Sequence, residues 1–78
     1  MTIQTLKKKI EAAGYETKET NIINKEGIIK KGFFVIHDYE GLYPDENALQ
    51  GHQYAFTLAR KAGFFAEARG NKTATLIY

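Results

Sequence analysis

Two stretches with helical spacing of apolar residues close on the same phrase, Ala13-Gly14-Tyr15 and Ala62-Gly63-Phe64. A glycine directly after such a stretch can take the left-handed conformation that closes a helix, and an aromatic just beyond it supplies the apolar contact that accompanies this closure. The repeat predicts two helices, each followed by an inward-pointing ring. After each come a strand, a tight turn and a second strand, so the chain reads as two tandem helix–strand–strand units.

In the first unit the Thr2 hydroxyl caps a helix that carries Ile3, Leu6, Ile10 and Ala13 on one face. Residues 16–23 are rich in threonine and end in Ile22-Ile23; Asn24-Lys25-Glu26-Gly27 has turn chemistry, and Ile28 to His37 forms the returning strand. The first strand is polar enough for a sheet edge. Gly32 to His37 is apolar on both alternating faces, which suits a central strand.

In the second unit Asp45 or Asn47 is expected to cap a helix whose inner face, Ala48, Gly51, Ala55, Leu58 and Ala62, is mostly small. Such a face brings the helix axis close to the sheet and leaves Phe33 or Phe34 to fill the space between. Phe64 to Arg69 forms the third strand, Gly70-Asn71 the turn, and Thr73 to Tyr78 the last strand.

The element order αββαββ is what a ferredoxin-like chain becomes when its first strand is moved to the C-terminus. The expected fold is therefore an α+β domain spanning residues 1–78, with a four-stranded sheet of order 3-4-2-1 and both helices on one face. That order places the two most apolar strands at the centre and the polar ones at the edges, so composition agrees with position.

Seventy-eight residues leave little room for a catalytic pocket beside a core. The chain has no cysteine, no apolar leader and no apolar run long enough to cross a bilayer, so a reducing, cytoplasmic setting without membrane contact is expected. Eleven basic and nine acidic residues are too balanced for a protein held to nucleic acid by its global field. His37 and His52, with Asp38, Glu40 and Asp45, include metal-competent donors, but no two histidines lie one helical turn apart and no calcium-type ladder is present. The expectation is a strand-end histidine, a helix-surface histidine, no metal, no cofactor and no enzyme activity. Gly70-Asn71-Lys72-Thr73 lacks the preceding glycines of a phosphate loop and precedes a strand.

Two features point instead to docking. The segment from Asp38 to Glu46 combines Asp38, Glu40, Asp45 and Glu46 with Tyr39 and Tyr43, giving rigid contact area and charge that steers toward a basic protein surface. The same residues also suit a plainer role, with Tyr39, Leu42 and Tyr43 plugging the core and the acids favouring the helix N-terminus. The second feature is the sheet face that the helices leave uncovered. Inward Tyr15 and Phe64 send Phe65, Glu67 and Arg69 outward, together with either Phe33, Val35 and His37 or Phe34 and Ile36.

An uncovered aromatic face calls for a protein partner or a second copy. The alternative is a nucleic-acid-binding regulator that stacks bases on this face, with Lys7, Lys8, Lys9, Lys18, Lys30 and Arg69 meeting phosphates. The glycine-and-aromatic signature of RNA-recognition sheets is missing, which favours protein contact, including a homodimer. Small cysteine-free chains of this style are common among phage and mobile-element inhibitors of host machines, and an inhibitory binding role is the expectation here.

Overall fold

The computed structural model describes residues 1–23, 25–37, 46–70 and 74–78, and of Asn47 the backbone alone. Helix α1 spans Ile3–Ala12; Thr2 precedes it in extended conformation and its hydroxyl accepts from the Thr5 amide at 3.2 Å, as a cap should. Helix α2 spans Glu46–Lys61. Asn47 lies inside that helix and so is not its cap; the other cap candidate, Asp45, lies outside the described residues.

Both helices end in the same way. Gly14 and Gly63 have φ of +99° and +86°. The amide of Tyr15 reaches back to the Ile10 carbonyl at 3.4 Å, and that of Phe64 to the Ala59 carbonyl at 2.9 Å. These bonds satisfy carbonyls that the helix itself leaves open, and both rings turn in to pack on the core. The repeated phrase thus has one physical meaning at two places.

The strands are β1 (Glu16–Ile23), β2 (Ile29–Ile36), β3 (Ala66–Arg69) and β4 (Ala74–Ile77), paired antiparallel in the order β1-β2-β4-β3. The third strand begins two residues later than its sequence suggests, because the Phe64 amide is taken by the helix closure and its ring by the core. His37 falls just past the end of β2, and Thr73 lies outside the described residues.

Both helices pack on one face of the sheet. Leu6 and Ile10 of α1 and Ala55 and Ala59 of α2 meet Phe33 and Val35 of β2 and Ile77 of β4, all buried to 1% exposure or less. Here α1 supplies bulk and α2 supplies closeness. Gly51 shows how close: a Cβ there would sit 2.8 Å from His37 Nδ1 and 3.0 Å from a Tyr15 ring carbon. Because β4 pairs only with Phe33 to Ile36, the rest of the β1–β2 hairpin overhangs as a two-stranded arm with Ile23 and Ile29 largely exposed.

Candidate protein-docking face

Strand alternation and register decide what lies on the uncovered side. Since Phe33 and Val35 face the helices, Phe34 and Ile36 face outward, which resolves the two options left by a strand apolar on both faces. The outward residues form rows across the four strands. In the first row Glu16 opposes Ile36, Ile36 opposes Ala74, and Ala74 opposes Arg69. In the second, Lys18 opposes Phe34, Phe34 opposes Leu76, and Leu76 opposes Glu67.

A third row continues past the end of β4. Thr20 opposes Gly32, Tyr78 passes over Gly32, and the Tyr78 amide bonds the Phe65 carbonyl at 3.0 Å. Phe65 and Tyr78 stack with ring centroids 5.6 Å apart, and Lys30 Nζ lies 5.6 Å and 5.9 Å from the two centroids. Gly32 is required at this point: a Cβ there would come within 2.6 Å of the Ile77 carbonyl oxygen and 3.1 Å of Tyr78 Cβ.

The face has an apolar centre of Phe34, Ile36 and Leu76, an aromatic end of Phe65 and Tyr78, and charged margins. Phe65 is 56% exposed. Leu76 is nearly covered, and a shallow groove of about 340 Å³ runs between Thr20, Ile22, Phe34, Leu76 and Arg69. On the margin Arg69 donates to Glu67 at 2.7 Å.

The opposite face carries a polar cluster that the sequence did not bring together. His37 is 4% exposed and its Nε2 lies 2.9 Å from Thr75 Oγ1; His52 of α2 places Nδ1 2.7 Å from the same oxygen. His52 is thus half-buried and engaged, where a helix-surface histidine was expected. The Thr75 hydroxyl has one proton and two lone pairs, so at most one ring nitrogen accepts from it and at least one imidazole donates its N–H to the oxygen. Burial, and secondarily the charge His52 can carry, hold the His37 imidazole below its ordinary pKa. Tyr15 packs edge-on against His37 and stacks on Tyr54.

The basic residues of the nucleic-acid reading divide between the two sides. Lys18, Lys30 and Arg69 lie on the open face. Lys7, Lys8 and Lys9 lie on α1, which covers the other side, and Lys7 Nζ is 3.1 Å from Glu11 and 3.8 Å from Glu19. One platform does not collect all six. Of the loop residues expected to dock a protein, Asp38, Tyr39, Glu40, Tyr43 and Asp45 lie outside the described residues; Glu46 opens α2 and accepts from Gln50 at 3.4 Å.

Among the described residues no group of three or more His, Asp or Glu is placed to hold a metal ion, and no helix is long and apolar enough to cross a membrane. Comparison with known proteins finds no matching family model, no matching curated protein and no matching solved structure.

Proposed function

We propose that this chain is a non-catalytic binding protein that works through protein–protein contact made by its open sheet face. The observation that carries the reading is the apolar patch of exposed Phe65 and partly exposed Phe34, Ile36 and Tyr78 around a nearly covered Leu76, on the side that neither helix covers. Burying such surface is the main driving force of association, and a rigid ring pair gives it an anchor at low entropic cost. The histidine pair fits the non-catalytic side of the reading, because the hydroxyl on which one nitrogen of each ring converges, Thr75, has no exposed surface for a substrate to reach. The element and strand order also support the finer fold reading, a ferredoxin-like chain with its first strand moved to the C-terminus.

The second reading is single-stranded nucleic acid on the same face, favoured by Lys30 above the Phe65–Tyr78 pair. A Phe65→Ser variant separates the outcomes. The protein-docking reading expects self-assembly, or capture of a protein from the native source, to weaken by roughly tenfold or more, with the melting temperature little changed. Undiminished association in the variant overturns it. Tight oligonucleotide binding that weakens steeply with salt would put the second reading in its place, because neutralising phosphates releases counterions and burying an apolar face does not.

A further inference from the structure

We infer that the occupant of the open face is a second copy of this chain, packed sheet on sheet with the strands of the two copies aligned and the two-fold axis parallel to them, between β2 and β4. The inference rests on the docking reading above and names its partner. What points to a second copy is the pattern of charge at the margins. In the first row the β1 side is negative, at Glu16, and the β3 side positive, at Arg69. In the second row the signs are exchanged, with Lys18 on the β1 side and Glu67 on the β3 side.

A rotation about an axis parallel to the strands lays β1 of one copy across β3 of the other without changing rows. Glu16 then faces the partner's Arg69, and Lys18 faces the partner's Glu67. The symmetry repeats both contacts, so all four marginal positions meet the opposite sign. The internal Arg69–Glu67 pair at 2.7 Å joins these contacts into alternating chains of charge on each side of the apolar centre, an arrangement worth more than isolated surface pairs.

The alternative way of stacking two sheets, with strands crossing near a right angle, turns one copy about a diagonal of this pattern. Glu16 and Glu67 occupy one diagonal and Lys18 and Arg69 the other, so like charges would meet. The pattern therefore selects aligned packing, but an axis across the strands would match it too, setting Glu16 over the partner's Lys18 and Glu67 over the partner's Arg69. Side-chain size decides between the two axes. With the axis along the strands the large Ile36 comes opposite the partner's small Ala74, and Thr20 and Gly32 come opposite the partner's large rings, whereas with the axis across them Ile36 would meet the partner's equally large Phe34.

Other occupants fit the margins less well. A polyanion would meet two carboxylates set among the cations Lys18, Lys30 and Arg69, and a strongly charged protein of either sign would find half of the margin repulsive. A surface whose own pattern becomes complementary on rotation is matched by itself.

Sedimentation equilibrium over a concentration series tests this, with circular dichroism confirming that each variant is folded. Wild-type chain is expected to dimerise. Lys18→Glu or Glu16→Lys alone places two like-charge contacts in the interface and should raise the dissociation constant about tenfold or more. Exchanging all four signs, by Glu16→Lys, Lys18→Glu, Glu67→Lys and Arg69→Glu, restores the complementary pattern. The exchanged chain should dimerise as wild type does, yet form no mixed dimer with wild type.

A wild-type chain that stays monomeric to about 1 mM, single reversals without effect, or free mixing of the two chains each overturns the inference. Should the exchanged chain fail to fold, isotope-filtered NMR on a mixture of labelled and unlabelled wild type decides: contacts from Phe34, Ile36 and Phe65 to the unlabelled copy are expected, and their absence overturns the proposal. A monomeric wild type whose capture of another protein is still abolished by Phe65→Ser would remove the second copy and leave the docking reading standing.

Discussion

Thr75 and Leu76 are neighbours in β4 and sit the wrong way round for a simple inside-out rule. Thr75, polar, faces the helices with no exposed surface, while Leu76, apolar, faces the side that no helix covers. The inner face tolerates the hydroxyl because two imidazoles satisfy it; an unpartnered buried hydroxyl would be costly, and no buried side-chain polar atom among the described residues is left without a partner. The outer face carries leucine, isoleucine and three rings where a solvated sheet would carry polar residues. One face is closed by its own helices, and the other is the one we propose a partner closes.

Adjacent phenylalanines give the sharpest test of this contrast. Phe33→Ala opens a cavity in the closed core and should cost about 3–5 kcal/mol in urea unfolding. Phe34→Ala, measured at a concentration where the chain is monomeric, should cost less than half as much, since its ring is only partly buried, while association falls sharply. Equal stability losses would mean that both faces belong to one core and that the comparison is mistaken.

Gly51→Ala probes the closed side alone. Helix propensity favours alanine by about 0.5–1 kcal/mol. The new Cβ, however, would lie 2.8 Å from the His37 ring, and that ring is held by Thr75 and Tyr15. Overpacking of this kind costs about 1–3 kcal/mol, so a net loss of stability is expected. A rise in the unfolding midpoint would show that the histidine cluster is loosely held.

Helix ends and strand order were legible because their signals are local or compositional: Thr2, Gly14 and Gly63 act on their immediate neighbours, and the apolar strands belong in the middle of any sheet with this element order. The face of β2 was not legible. Phe33 and Phe34, like Val35 and Ile36, are equally apolar, and only packing against Leu6, Ile10 and α2 chooses between them. Ala59 escaped notice as core because the larger Leu58 beside it fits the same turn of the helical pattern, although Ala59 is the one fully buried. His37 and His52 could not be paired from sequence, since each meets Thr75 from a different element, 38 and 23 residues away.

The closed face should also respond to pH, and the sign follows from linkage. Burial lowers the His37 pKa in the folded chain, with His52 adding to the effect. The unfolded chain, with an ordinary value near 6.5, therefore binds the proton more readily. Stability should be full above about 6.5 and fall as pH drops through that value toward the folded pKa. Urea unfolding at successive pH values measures the slope, and His37→Gln, which keeps an amide within reach of Thr75, should flatten it. An unchanged slope would place the proton uptake elsewhere.

The smallest effect expected belongs to Lys30, whose ammonium stands over the Phe65–Tyr78 pair and ties the overhanging arm of β2 to the ends of β3 and β4. Lys30→Met keeps the apolar stem and removes only the charge. At an exposed site such a cation–ring contact is worth about 0.5–1 kcal/mol, so the melting temperature should fall slightly. Lys30 lies outside the four charges that the aligned dimer matches, so dimerisation should change little. Under the nucleic-acid reading the same substitution removes one phosphate contact and lowers the salt dependence of binding by about one unit of slope. A variant that leaves assembly intact and binds no oligonucleotide in either form favours the protein interface; one that flattens a measurable salt slope favours the other reading.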